Sequence, residues 1–311
     1  MDEPVALEVR GLSFSYGGRT ALNDVGFEVR PGEFFALLGP NGGGKTTLFR
    51  LLATLLPSPP GAAKVMGIDV RADPAGVRRR IGVVFQSPSL DGKLSVRENL
   101  MHHGHLFGMR GSALSAEISK HLDAVGVSDR ARDRAETLSG GLKRRVEIAK
   151  GLLPGPDVLL MDEPSTGLDP GARRALWELI ARIRSERRVT VLFTTHLLEE
   201  AEGCARVAVL DQGRLVALGT PDQLRAEVGG DVISIASRQP AELSARIRER
   251  FGVEATVLDG TVRIEREQGH ELIPRLAEAF PGEIDAVTIR KPTLEDVFIR
   301  RTGHPFWLEG R

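Results

Sequence analysis

The stretch Gly39-Pro40-Asn41-Gly42-Gly43-Gly44-Lys45-Thr46-Thr47 follows the short apolar run Phe34–Leu38 and leads straight into the helical pattern TLFRLLATLL. An unbroken apolar run is what a strand covered on both faces needs, so strand, glycine-rich turn and helix are expected in succession. Glycines let such a turn point its backbone N–H groups inward without side chains in the way, and the helix behind it directs its positive end at the same place. With a lysine and two hydroxyls, this is the pattern of a phosphate-binding loop. Lys45 would reach the β and γ oxygens of a nucleotide, and the Thr46 hydroxyl would hold Mg2+.

Three more runs of the same kind, Ile81–Phe85, Val158–Met161 and Val189–Phe193, are separated by helical stretches. That alternation predicts an α/β fold with a parallel sheet, here of the P-loop NTPase class. Ahead of it, Leu7–Tyr16 and Ala21–Val29 alternate apolar and polar residues around Gly17-Gly18, as an antiparallel β subdomain would. Between Gln86 and Leu138 only helix-like segments occur, LSVRENLMHHGHLFGM and SAEISKHLDAVG, which predicts a helical insertion over about 87–155. A first domain is thus expected over 5–228, ending after the helix DQLRAEV at the Gly229-Gly230 pair. Beyond it, over 231–303, the pattern reads strand, helix, strand, strand, helix, strand with an Asp259-Gly260 hairpin turn, a small α+β ferredoxin-like domain.

Composition narrows the function. Of 311 residues, 42 are Lys or Arg and 42 are Asp or Glu, which argues against nonspecific attraction to nucleic acid or anionic lipid. The 41% hydrophobic content rules out a disordered chain. A single cysteine, Cys204, can form no internal disulfide and suits a reducing compartment. No apolar stretch approaches the roughly 18 residues needed to cross a bilayer. The opening MDEPVALEVR lacks the basic and apolar segments of an export signal, so a chain that is soluble, or held to a membrane by another chain, is expected.

Val158-Leu159-Leu160-Met161-Asp162-Glu163 is a buried strand ending in two carboxylates. Asp162 can enter the shell of a metal, and Glu163 can polarise a water for attack on a γ-phosphate. Between the helical insertion and this strand lies Leu138-Ser139-Gly140-Gly141, in which Ser139 can cap a helix and the glycine N–H groups can form a second anion site. Taken in this order, the motifs over residues 5 to 228 resemble those of an ATP-binding cassette (ABC) ATPase, the motor subunit of an ABC transporter. The resemblance implies that Ser139, Gly140 and Gly141 meet the γ-phosphate of an ATP held by an opposite subunit, so that a homodimer, or a pair with a related ATPase subunit, completes each site. One departure stands out: Leu142 occupies the place where the family usually has Gln, and with Val146, Ala149 and Leu153 it reads as an apolar stripe. The adjacent Lys143-Arg144-Arg145 reads as a solvated face.

The same resemblance assigns four more positions. Gln86, ending IGVVFQ, would touch Mg2+ and the attacking water; His196, in TTHLLEE, would contact the γ-phosphate; Asp169, in STGLDP, would link the two sites; Tyr16 would stack on adenine. Residue patterns alone leave rivals: a capping or surface role for His196, a helix N-cap for Asp169 and core packing for Tyr16. The tail Pro292-Thr293-Leu294-Glu295-Asp296-Val297-Phe298-Ile299 resembles the ending of ATPases serving drug, polysaccharide and ion exporters, including the daunorubicin-resistance type; by itself it reads as an amphipathic helix with Leu294, Val297 and Phe298 facing a core. The expected function is therefore ATP hydrolysis, with ATP and Mg2+, on the cytoplasmic face of a membrane, driving separate integral permease subunits of an exporter. A soluble ABC ATPase acting on nucleic acid or ribosomes and a noncatalytic regulatory cassette are the alternatives. No nucleic-acid partner is expected, since neither a basic tail nor a second cassette is present. The second domain is expected to support the dimer.

Overall fold

The computed structural model describes residues 5–306; residues 1–4, on which part of the export-signal expectation rests, and 307–311 lie outside the described residues. The chain divides into two compact units, Met1–Leu215 and Val216–Arg311.

In the first unit the elements run β1 (Leu7–Tyr16), β2 (Arg19–Val29), β3 (Phe34–Leu38), α1 (Lys45–Leu52), β4 (Ala63–Val65), β5 (Ile68–Asp69), α2 (Pro74–Arg80) and β6 (Ile81–Val84). They continue with α3 (Val96–Leu106), α4 (Gly111–Ala124), α5 (Gly140–Leu152), β7 (Val158–Asp162), α6 (Pro170–Arg187), β8 (Thr190–Thr195), α7 (Leu198–Ala201) and β9 (Arg206–Asp211). β1 and β2 pair antiparallel as expected, and β4 and β5 extend them in the order β2-β1-β4-β5. The β4–β5 hairpin is not visible in the sequence because strands of three and two residues are too short to display a period of two. β3 pairs parallel with both β8 and β9, and β7 with both β6 and β8, so these strands lie in the order β9-β3-β8-β7-β6. Their residues are buried on both faces, which is why they read as continuous apolar runs. The helical insertion consists of α3, α4 and α5; Ser95 and Glu98 form a capping box that starts α3, and Leu100, Leu114, Ile118, Leu122 and Val146 are buried.

The second unit is entered along β10 (Arg214–Gly219) and comprises α8 (Pro221–Val228), β11 (Asp231–Ala236), α9 (Pro240–Phe251), β12 (Ala255–Leu258), β13 (Thr261–Arg266), α10 (Leu272–Ala279), β14 (Ala286–Arg290) and α11 (Leu294–Thr302). All pairings are antiparallel in the order β12-β13-β11-β14, the arrangement a ferredoxin-like βαββαβ chain adopts. Asp259 (φ 46°) and Gly260 (φ 73°) turn the β12–β13 hairpin with the paired positive φ values of a type I′ turn. The boundary differs from the Gly229-Gly230 expectation: α8 belongs with the second unit because it packs on α11. Leu224 and Val228 on α8 and Leu294, Val297 and Phe298 on α11 are all buried, and Arg300 donates to the Val228 carbonyl at 2.8 Å. A glycine pair marks a turn, but which helix faces join is decided by packing.

A buried carboxylate ties α11 to the sheet. Asp296, with no exposed surface, accepts from Arg290 Nη2 at 2.7 Å, pairs with Arg263 Nη1 at 2.7 Å and caps its own helix through the Thr293 N–H at 2.7 Å. Burial alone would raise its pKa, but the Arg290 and Thr293 hydrogen bonds and the two guanidinium charges hold it below the ordinary 3.8. A depressed folded-state pKa stabilises above the unfolded value and loses that stabilisation as pH falls through the folded value. Replacing Asp296 by Ala removes the shared partner of Arg290, which is partly exposed, and of Arg263, which keeps Glu265, and should lower the stability of this unit by about 1–3 kcal/mol. Urea melts at neutral pH and below pH 3.8 are the check: the wild-type advantage over the variant should shrink in acid.

Candidate functional site

Four of the motifs sit at one edge of the parallel sheet because of the strand order. β3, β8, β7 and β6 are neighbours in that sequence, and their carboxyl ends lead into Gly39, His196, Glu163 and Gln86 respectively. The crevice beyond the carboxyl ends of parallel strands is where open α/β sheets bind ligands.

A cleft of about 660 Å³ opens there, walled by Asn41 to Thr47 and Glu163 on one part and by Tyr16, Arg19, Thr20, Ala21 and Gln212 on another. Glycine is required in the loop for two reasons. A Cβ on Gly39 would collide with the Leu210 carbonyl of β9, and Gly44 has φ 101° with its Cβ position 2.9 Å from the Ala21 carbonyl. Gly44→Ala should therefore destabilise the unit by roughly 2–3 kcal/mol and disturb the loop, read as a lower Tm together with weaker ATP binding. Gly44 is also the N-cap of α1 and offers no side-chain cap, and the first turn holds no acidic residue, so the helix end is left for an anionic ligand. By contrast, Ser139 caps α5 by accepting from Leu142 N at 3.3 Å, and Asp169 caps α6 by accepting from Ala172 N at 2.9 Å.

Lys45 is buried, with Nζ donating to the carbonyls of Gly39 at 2.8 Å and Pro40 at 3.0 Å and lying 3.8 Å from Glu163 Oε1. Desolvation lowers its pKa from the ordinary lysine value, opposed by the charges of Glu163 and Asp162. Desolvation raises that of Asp162, opposed by the Thr194 hydroxyl, which donates to its Oδ1 at 2.6 Å. Thr194 also accepts from the Glu163 N–H at 2.9 Å, and so holds Glu163 in the left-handed region at φ 43°. Glu163 Oε2 gathers Gln86 Nε2 at 3.1 Å, the Thr166 hydroxyl at 3.1 Å and His196 Nδ1 at 3.2 Å. One carboxylate thus joins Lys45 at the start of α1 with Gln86 and His196, which follow the ends of two different strands.

Tyr16 is 44% exposed and lines the cleft, which overturns core packing as its role; its ring meets Phe14 edge-on at 5.1 Å. Ser139 and Gly140 are exposed and Gly141 is half-buried, and they do not line this cleft. The stripe through Leu142 is as expected in Val146, Ala149 and Leu153, which are buried, while Leu142 itself is half-buried. The reading of Lys143-Arg144-Arg145 as a solvated face is corrected at Arg144, which is 4% exposed and bonded to Phe85, Gln86 and Glu147. Its burial follows from the packing of α5 on β6, which no local pattern in a run of basic residues reveals.

Sequence reasoning also missed Thr194 and Glu200. Glu200, on α7, accepts from the Ser165 hydroxyl, from Thr195 Oγ1 at 2.5 Å and from Trp177 Nε1 at 3.2 Å. It thereby ties the loop after Glu163 to the segment carrying His196. No local signal marked it, because His196 lies in the bend before α7 and helical spacing does not link the two.

Comparison with known proteins gives the family. Residues 22–166 match the family described as ABC transporter, and residues 219–302 match the C-terminal domain of ATP-binding proteins like DrrA1-3. Nod factor export ATP-binding protein I of Paraburkholderia xenovorans is 40% identical over 306 residues, covering 96% of this chain and 97% of its own. The chain belongs to the ATP-binding subunits of ABC transporters. The daunorubicin/doxorubicin resistance ATP-binding protein DrrA of Streptomyces peucetius is 37% identical to this ATP-binding subunit over 311 residues, covering 96% and 93% of the two chains. Among solved structures, cbiO1 of Clostridium perfringens, part of the ABC transporter complex cbiONQ, matches with a TM-score of 0.67 and 27% identity over 80% of this chain and 97% of that one. The ATP-binding subunit is accordingly a nucleotide-binding ATPase of P-loop fold, and no helix among its described residues is long and apolar enough to cross a membrane.

Proposed function

We propose that this ATPase pairs with a second copy around two MgATP and drives a separate membrane permease that exports its cargo. The observation that carries the reading is the meeting of Lys45, Gln86 and His196 on Glu163, which with Lys45 lines the phosphate cleft. That cluster suits hydrolysis better than a noncatalytic cassette. Full-length similarity to export ATP-binding proteins supports transport over action on nucleic acid or ribosomes.

In this reading the triphosphate lies on the N–H groups of Gly42 to Thr47, with Lys45 on its β and γ oxygens and the adenine on Tyr16. Thr46, Gln86 and Asp162 offer the oxygen donors that Mg2+ prefers, and the ion would neutralise phosphate charge. Glu163 accepts the proton of the attacking water, Gln86 orients that water, and His196 donates to the γ-phosphate. Ser139, Gly140 and Gly141 close the nucleotide of the opposite copy, and Asp169 connects the two sites. The second unit supports the pairing. The subunit works at the cytoplasmic face of the membrane.

If two copies make one working site, specific ATPase activity should fall on dilution, by about tenfold once the concentration lies an order of magnitude below the dimer dissociation constant. Activity per molecule that stays constant while sedimentation reports monomer would overturn the shared site. Co-expression with a polytopic permease, followed by ATP-driven efflux from vesicles, tests the transport half; co-purification with ribosomal RNA would favour the rival.

A further inference from the structure

β6 ends at Val84, so the sheet ladder stops short of the Phe85 and Gln86 carbonyls. Arg144 of α5 takes them over: Nη1 donates to the Phe85 carbonyl at 2.5 Å and Nη2 to the Gln86 carbonyl at 2.8 Å. The guanidinium is kept in place by Glu147 Oε2 at 2.9 Å, and both side chains are buried, at 4% and 1% exposure. Glu147 Oε1 in turn accepts from Ser89 N at 2.6 Å, and Lys150 Nζ donates to the Ser89 carbonyl at 2.7 Å. Successive turns of one helix therefore grip the backbone of residues 85–89.

We propose that Arg144 is a positioning residue that aims the Gln86 side chain at Glu163 by holding the two peptide carbonyls on either side of the Gln86 N–Cα bond. A guanidinium is a rigid planar fork, and two donors on successive carbonyls fix the peptide planes that set the direction of the Gln86 Cα–Cβ bond. Gln86 Nε2 then reaches Glu163 Oε2 at 3.1 Å. A lysine in its place would still neutralise Glu147 but, as a point charge on a flexible stem, would not hold both carbonyls. Because α5 begins at Ser139-Gly140, the same helix that carries the glycine-rich signature sets the Gln86 contact in its own copy. The assignment rests on the roles proposed above for Gln86 and Glu163.

The test is steady-state ATPase kinetics of the full chain as wild type, Arg144→Lys, Gln86→Ala and the two combined. Misplacing a group by about 1 Å can cost on the order of 100-fold, so a lost hold on Gln86 should lower kcat of Arg144→Lys by about tenfold or more. KM for ATP should stay within about twofold, because Arg144 lies behind Gln86 and does not line the cleft. In the Gln86→Ala background the lysine substitution should have almost no further effect, since there is no amide left to aim. A purely structural role would reduce activity by the same factor in both backgrounds. That additive result, or an Arg144→Lys enzyme with wild-type kcat, would overturn the proposal alone. Gln86→Ala with wild-type kcat would overturn the assignment of Gln86 and this proposal with it. Should Arg144→Lys fail to fold by circular dichroism, the double replacement Arg144→Met with Glu147→Met removes the ion pair without leaving a lone buried charge, and the same comparison of backgrounds decides.

Discussion

Glu163→Gln should all but abolish steady-state hydrolysis, lowering kcat by about 10²- to 10⁴-fold, while ATP still binds. The amide matches the carboxylate in size and leaves the backbone grip intact, since Thr194 Oγ1 holds the Glu163 N–H at 2.9 Å whatever the side chain. What it loses is the ability to take a proton from water. Gln86 and Thr166 donate to that carboxylate, and an amide oxygen can accept from both, while His196 Nδ1 lies 3.2 Å from it. Phosphate release and equilibrium binding of a fluorescent ATP analogue, measured on the same preparation, separate the two quantities. A turnover rate within about tenfold of wild type would remove Glu163 from the role of base.

Lys45→Met should do the opposite, abolishing binding first. Truncating one partner of a desolvated, hydrogen-bonded charge pair costs about 2–5 kcal/mol, so the dissociation constant for ATP should rise by at least about 30-fold. Met fills the buried volume, but the Gly39 and Pro40 carbonyls lose their donor, and Asp162 and Glu163 lose the nearest cation. The desolvation that depresses the Lys45 pKa is offset by those two carboxylates, and an arriving triphosphate would add to the same side of the balance. Circular dichroism should report a folded protein, and binding of wild-type strength by that folded protein would exclude Lys45 from phosphate contact.

Those two effects follow from residues whose importance is readable along the chain. The turn from Gly39 to Thr47, the acidic end of the strand at Asp162-Glu163 and the Ser139 cap each depend on neighbours within one strand–turn–helix step. For the same reason the βαββαβ order of the second unit and its Asp259-Gly260 turn are legible, as are the buried positions of α11. Arg144 and Glu200 are not. A charged side chain in a polar run carries no local mark of burial, and both owe their environments to elements 58 or 35 residues away in the chain, at Gln86 and Ser165.

Local pattern was thus enough for the presence of a phosphate loop and a parallel sheet, because each is encoded by periodicity and spacing over a few residues, while the family came from the motifs' resemblance to known ATPases. Tertiary structure alone decided that Lys45, Gln86 and His196 would meet on the Glu163 carboxylate, that α8 would join the second unit and that Arg144 would be buried behind Gln86. The physical reason is that parallel strands order themselves by non-local hydrogen bonding and helix packing: the neighbours β6, β7 and β8 are far apart in sequence, and nothing within any one of them specifies which strand lies alongside.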